Sequence, residues 1–202
     1  MEKKLEVSVI SPVFNERENL KTFVDSVTKV MHSTGMSWEL IVVDDGSDDG
    51  STTVIKELTN QDNIKCLLLA KNYGQTTAIQ AGFDNAIGKY LVTLDSDLQN
   101  DPKDIPALLH KLIEEELDLV VGWRKNRKDN YFLRNLPSSI ANKLIGNITG
   151  VKLHDYGCSL KAYRADVLKE VRLYGEMHRF IPAWMATKIP VSYTHLRAHE
   201  TY

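Results

Sequence analysis

The sequence predicts an α/β fold in which a mostly parallel central sheet is covered by helices on both faces. Apolar strand-like runs alternate with segments of helical period as far as residue 122, and several of those runs are unbroken, as in strands buried on both faces. Polar residues also gather where the runs end, at the edge where ligands bind in open α/β sheets.

Residues 5–13, "LEVSVISPV", form the first expected strand, rich in Val and Ile and stopped by Pro12. Asn15 is expected to cap the following helix, with Glu18 three residues on; Leu20, Phe23, Val24, Val27, Val30 and Met31 share one apolar face. "WELIVVDDGS" (38–47) is the second strand, and Ser51 is placed to cap a helix near 51–60. Strand 64–70, helix 75–87, strand 89–95, helix 103–116 and strand 117–122 continue the alternation, with Asp101 capping at Pro102. Gly74, Ala78 and Gly82 would let the helix after the third strand pack closely on the sheet. Beyond 123 the alternation breaks. A helix is expected from about 131 or 137, with Phe132, Leu136, Ile140, Leu144 and Ile148 at intervals of four and Pro137 starting or kinking it, and "DYGCSLKAYR" (155–164) reads as a loop entering another strand.

At 202 residues one domain is expected, and Lys plus Arg total 25 against 27 Asp plus Glu, so the net charge of −2 gives no global pull towards nucleic acid. Two cysteines fit a reducing compartment rather than a disulfide scaffold. No stretch resembles a signal peptide or a membrane-spanning helix. The position after the first strand holds "PVFNE" instead of G-x-G-x-x-G, which disfavours a nicotinamide-dependent oxidoreductase.

Two acidic strand ends carry the chemistry. Asp95 and Asp97 in "YLVTLDSDLQNDP" are two residues apart, so an extended backbone points both carboxylates one way and favours a divalent cation such as Mg²⁺ or Mn²⁺, to which Gln99 could add a neutral oxygen. Taken alone the pair fits a polar turn before a helix equally well. "DDGSDDGS" (44–51) would bring Asp44 or Asp45 to a ribose hydroxyl or the N–H groups of a base, although the same residues also make ordinary turns. Arg124, Lys125, Arg127, Lys128 and Arg134 crowd together with only Asp129 as counter-charge, suited to a lipid phosphate or an anionic leaflet or, more plainly, to a solvated loop.

"VISPVFNERENL", "IVVDDGSDDGS", "KNYGQTTAIQAGFDNAIGKYLVTLDSDLQ", "VVGWR" and "HDYGCSLKAYR", in this order and spacing, resemble family-2 glycosyltransferases of the polyprenyl-phosphate sugar transferase type, such as dolichol-phosphate mannose synthases and bacterial undecaprenyl-phosphate sugar transferases. The resemblance covers roughly residues 5 to 190. It implies a glycosyltransferase A-type nucleotide-sugar fold and an inverting, metal-dependent transfer from a nucleoside-diphosphate sugar to a polyprenyl phosphate at the cytoplasmic face of the membrane. Pro12, Asn15, Glu16, Asp44 and Asp45 would surround the nucleoside, with Asp95 on the nucleotide sugar. Asp95, Asp97 and Gln99 would hold Mg²⁺ or Mn²⁺ and the diphosphate. Asp155 matches a carboxylate near the reacting centre, as a base or as a group that orients substrate. Arg124, Arg134 and Ser138 match positions that meet the acceptor phosphate, and Glu176, His178 and Arg179 in "GEMHRFIPAW" are further site candidates. A phosphate monoester is already largely ionised at neutral pH and needs little help from a base.

The same fold acting on a saccharide acceptor is the first competing reading, though the Q-x-x-R-W motif of processive synthases is absent from the sequence. A catalytically silent nucleotide-sugar-binding module is the second. Nucleic acid is not an expected partner, and homo-oligomerisation is left open. Beyond Pro190, where such relatives carry an acceptor loop and often two membrane helices, "VSYTHLRAHETY" resembles translated sequencing-adapter read-through. The expected organisation is a catalytic domain over 1–190, cut short at its C-terminus, and a non-native tail over 191–202; His195 and His199 are assigned no function.

Overall fold

A computed structural model describes residues 5–124, 146, 151, 153–169, 171–188 and 191–199. Arg134 and Ser138, most of the basic run and, Gly146 apart, the helix expected from about 131 or 137 lie outside the described residues.

Among the described residues seven strands form one sheet in the order β3-β2-β1-β4-β6-β5-β7. These are β1 (Val7–Val13), β2 (Trp38–Asp44), β3 (Ile64–Leu68), β4 (Tyr90–Thr93), β5 (Leu119–Trp123), β6 (Lys161–Arg164) and β7 (Tyr193–Arg197). β1 pairs in parallel with both β2 and β4, so the chain winds one way through β2 and β3 and the other way through β4. That reversal leaves a crevice at the carboxyl ends of β1 and β4, where open α/β sheets place their ligands. β6 enters antiparallel between β4 and β5, pairing Thr93 with Lys161 and Val121 with Lys161. β7, from the segment expected to be non-native, lies parallel to β5 at the sheet's edge.

The helices with described bounds are α1 (Arg17–Ser33), α2 (Ser51–Leu58), α3 (Gln75–Asn85), α4 (Ile105–Glu114), α5 (Ala165–Leu168) and α6 (Ile181–Lys188). One core joins Leu20, Phe23, Val24 and Val27 of α1 and Leu108 and Leu112 of α4 to one face of the sheet; the other joins Ala78 and Ile79 of α3, Tyr163 and Met185 to the opposite face. β1 and β2 are buried at every position, as their unbroken apolar runs required, whereas β3 is half exposed because it lies at the sheet's edge. Each large apolar side chain so buried contributes about 1.5–3 kcal/mol.

Two expected caps are formed differently. Glu16 precedes α1 without a side-chain cap, while Asn15 sits at φ 56°, donates from Nδ2 to Asp48 at 2.9 Å and accepts from Asp48 N at 3.0 Å. Gly50, at φ 95°, precedes α2, and the Ser51 hydroxyl instead donates to Asp49 at 2.6 Å and accepts from Glu16 N at 3.1 Å. Both polar side chains therefore tie the loops after β1 and β2 together. Asp101 caps as expected, accepting from Lys103 N at 3.0 Å.

A Cβ on Gly82 would meet Ile10 Cγ2 at 2.3 Å, so α3 crosses β1 too closely for any side chain there. Gly82→Ala is expected to destabilise the chain by about 1–3 kcal/mol through overpacking, read as a fall in the denaturant midpoint. Gly74 serves differently: its surroundings are open, and its φ of 93° is what glycine supplies.

Candidate functional site

The crevice is an open cleft of about 300 Å³ lined by Pro12, Val13, Phe14, Glu16, Asp45, Asn72, Gly74, Gln75, Asp95, Ser96 and Asp97. It draws on the ends of β1, β2 and β4 and on the start of α3. Of the expected nucleoside residues, Pro12, Glu16 and Asp45 line it. Asn15 lies outside the lining and is held by Asp48. Asp44 also lies outside, with its carboxylate turned into its own loop to accept from Ser47 N at 3.0 Å and from the Thr52 hydroxyl.

Asp45 is 3 % exposed and accepts from Tyr73 N and Gly74 N, both at 2.8 Å. It thereby fixes the turn that starts α3 and aims Gln75 across the cleft. Asp45→Asn keeps one acceptor oxygen for two backbone donors; a loss of about 1–3 kcal/mol of stability is expected, checked by thermal melts.

β4 proper stops at Thr93, so a bend presents the acid pair, and Leu98 just beyond it stands in the left-handed region at φ 60°. Gln75 Nε2 donates to Asp95 Oδ1 at 2.7 Å, and Asp95 N donates to Ser159 Oγ at 3.3 Å. Asp95 opens to the cleft on one side and is enclosed on the others. Its pKa is pushed upward by burial first and by the charge of Asp97 second, against opposing pulls from Ser159, Lys161 and Gln75. Asp97 accepts from Gln99 N at 3.0 Å, while Gln99 itself is exposed and outside the cleft lining.

At the end of β5, Arg124 forms a two-pronged pair with Asp155. Nε donates to Oδ2 at 2.9 Å and Nη2 to Oδ1 at 3.2 Å, with the side chains 7 % and 12 % exposed. Gly157 N also donates to Asp155 Oδ1, at 3.1 Å. The arginine expected at the acceptor phosphate and the carboxylate expected at the reacting centre thus hold each other.

Lys161 in β6 was not among the candidates from the sequence, yet it is 3 % exposed and donates from Nζ to the Cys158 carbonyl. Burial lowers its pKa, and the neighbouring Asp95 and Asp155 oppose that shift. It therefore lies within the electrostatic reach of both Asp95 and Asp155, with burial working against its charged form. The one hint in the sequence was its place in "SLKAYR", which follows the acidic "DYG" turn and Cys158. Gln75, the residue after Gly74, was likewise passed over.

His178, on the 3-10 turn Met177–Phe180, lies 2.7 Å from the Thr76 hydroxyl through Nδ1, beside Gln75 in the chain. Burial lowers its pKa. Glu176 stands 4.0 Å from its ring, and Arg179 donates to its Nε2 at 3.3 Å. Among the described residues no helix is long and apolar enough to cross a membrane.

The sequence profile "Glycosyl transferase family 2" matches residues 8–172. A dodecaprenyl-phosphate galacturonate synthase of Rhizobium johnstonii is 54 % identical over 190 residues, covering 93 % of this chain and 56 % of the relative. An undecaprenyl-phosphate 4-deoxy-4-formamido-L-arabinose transferase of Salmonella paratyphi B is 41 % identical over 193 residues, covering 92 % of this chain and 58 % of the relative. The chain thus spans a little over half the length of these curated relatives. Among solved structures, mannosyl-3-phosphoglycerate synthase from Rubrobacter xylanophilus superposes with a TM-score of 0.73 at 12 % identity, covering 98 % of this chain and 67 % of that one. A mannosyltransferase from Pyrobaculum calidifontis in complex with GDP-Man and Mn²⁺ gives 0.68 at 15 % identity, covering 97 % and 56 %. At these identities the likeness is one of fold, and that fold is the glycosyltransferase A type expected from the sequence.

Proposed function

Because this chain belongs to glycosyltransferase family 2, we propose that it moves a sugar from a nucleoside-diphosphate donor to a polyprenyl phosphate at the cytoplasmic face of a membrane, as the catalytic part, over 1–190, of a longer enzyme. The observation that carries this reading is the cleft at the reversal point of the sheet, where Asp95 and Asp97 face the end of β1 and the loop held by Asp45. The two curated relatives, both named for polyprenyl-phosphate chemistry, support the acceptor.

The residues fit a divalent cation. Two like charges crowd one cleft, and Asp95 bears the strain as a raised pKa, which a cation between the carboxylates would relieve. Among the described residues no third His, Cys, Asp or Glu joins them, so water and substrate phosphates would complete the shell, as Mg²⁺ and Mn²⁺ accept. Asp95 and Asp97 would hold the ion, which when bound neutralises the charge gathering on the departing diphosphate.

Asp45 and Gln75 keep the donor side of the cleft in shape. An acceptor phosphate oxygen forms the new bond to the anomeric carbon from the face opposite the diphosphate, whose bond breaks with the electron pair leaving on the diphosphate; the sugar is inverted. Galacturonate, carried in the name of the 54 % relative, is the first sugar to try.

The test is a panel of UDP- and GDP-sugars, UDP-galacturonate included, with Mg²⁺ or Mn²⁺ and a short polyprenyl phosphate. Transfer to the lipid is the expected result. Transfer to saccharides and never to lipid would overturn the acceptor assignment. Continuity of genomic reads across codon 190 would overturn the assignment of 191–202 as a non-native tail.

A further inference from the structure

We propose that Ser159 is a positioning residue for the acid pair, its hydroxyl strapping both flanks of the Asp95–Asn100 loop to the segment before β6 so that the two carboxylates are set before any ligand arrives. The inference rests on the proposed role of Asp95 and Asp97 in holding a cation and a diphosphate. The Ser159 hydroxyl oxygen accepts from Asp95 N at 3.3 Å and from Asn100 Nδ2 at 3.0 Å. Its carbonyl accepts from the Thr93 hydroxyl at 2.8 Å, where β4 ends. One residue thus holds the segment at its entry, at its first aspartate and at its far end. Asn100 is buried, and its Oδ1 accepts from Cys158 Sγ at 3.5 Å.

The loop needs such a strap. Leu98 stands at φ 60° between the two tied points. A non-glycine residue in that region is strained and persists only where its surroundings overdetermine it. The footing of the strap is firm. The Cys158 carbonyl accepts from Lys161 Nζ, and the Leu160 carbonyl accepts from Gly122 N at 2.9 Å, so the residues on either side of Ser159 are fixed to β6 and β5. β6 in turn pairs with β4 through Thr93 and Lys161. What the strap secures opens on the cleft, which Asp95, Ser96 and Asp97 line. Ligating groups already held in place bind without first having to be ordered. Ser159 itself lies outside the lining, so it acts through Asp95 and the loop and touches no substrate.

The experiment compares the chain with its Ser159→Ala, Ser159→Thr and Asn100→Ala variants by hydrogen exchange without metal, by calorimetric titration with Mn²⁺ and by transfer kinetics. Ser159→Ala is expected to exchange the amides of Asp95–Asn100 about tenfold faster, while those of β1 and β2 keep the rates of the parent. Its Mn²⁺ affinity is expected to fall roughly tenfold, the effect of losing one or two hydrogen bonds. With Mn²⁺ and donor both saturating, kcat is expected to change less than about threefold. Ser159→Thr keeps the hydroxyl and is expected to bind Mn²⁺ within about threefold of the parent. Parent-like exchange and Mn²⁺ affinity in Ser159→Ala would overturn the proposal. Faster exchange spread through β1 and β2 would overturn it in favour of a merely structural residue, and a kcat loss of about a hundredfold at saturation with Mn²⁺ affinity kept would do so in favour of a catalytic one. A threonine variant as weak as the alanine variant counts against it as well. Should Ser159→Ala melt too low to assay, Asn100→Ala frees the far flank alone; faster exchange confined to the loop and weaker Mn²⁺ binding are expected, and parent-like values count against the proposal. If the parent chain binds no Mn²⁺, the reading of the acid pair itself falls and takes this inference with it; normal parent binding with the wrong variant pattern sinks the inference alone.

Discussion

Asp95→Asn is expected to lower sugar transfer by about a hundredfold to a thousandfold, the cost of losing one preorganised group that manages charge on a leaving group. The same substitution is expected to leave the metal-free chain as stable as before, or more so. Burial and the neighbouring Asp97 raise the pKa of Asp95 in the folded chain. A carboxyl that holds its proton more tightly when folded makes folding less favourable once pH rises above its unfolded value, because the ionised form is then forced into a hostile site. Neutral asparagine removes that penalty, so the melting temperature measured with a chelator at pH 7 should hold or rise while activity collapses. Asp97→Asn is expected to lose transfer to a similar degree and also to relieve Asp95. Mn²⁺ binding by the parent chain should weaken as pH falls, because Asp95 must give up its proton to ligate a cation. Transfer that survives loss of both carboxylates would sink the metal assignment.

How much of this site was legible in the sequence depended on whether a residue's job was set by its own strand or by a distant partner. Asp45, Asp95 and Asp97 were readable because strands stop where apolar runs stop, and the crossover rule puts those stops on one edge. Asn15 and Ser51 were misplaced as caps because their side chains are claimed by Asp48 and Asp49, across loops that periodicity does not pair. Asp44 and Asp45 look identical in the sequence, but alternation along an extended chain turns one into its own loop and the other towards the cleft. The Arg124–Asp155 pair joins residues 31 apart, and each was noticed for a different reason. Lys161 was invisible for the opposite cause. A lysine in a strand usually marks a solvent face, and only the antiparallel insertion of β6 between β4 and β5 encloses it.

That same blindness hid a buried stability determinant at the opposite end of the sheet. Glu39 reads as a polar break in "WELIVV", yet it is 2 % exposed. Its Oε1 accepts from the Ser8 hydroxyl at 2.6 Å and from Ile87 N at 3.1 Å, and its Oε2 meets Lys65 Nζ at 2.6 Å. Gly88 N in turn donates to the Ser8 hydroxyl at 2.9 Å, so one carboxylate fastens β1, β2, β3 and the entry to β4. Glu39→Ala leaves the Ser8 hydroxyl buried without its acceptor and takes the acceptor of the part-buried Ile87 N–H as well. About 1–3 kcal/mol for each gives an expected loss of about 2–6 kcal/mol, or roughly 10 °C in melting temperature for a chain of this size. Glu39→Gln keeps a carbonyl oxygen for both donors and forfeits only the charge contact with Lys65. That lysine is 47 % exposed, so solvent screens the contact and the expected loss is about 1 kcal/mol or less. The contrast isolates the cause. A glutamine variant as unstable as the alanine variant would show that the charge of Glu39, rather than its buried hydrogen bonds, joins the strands.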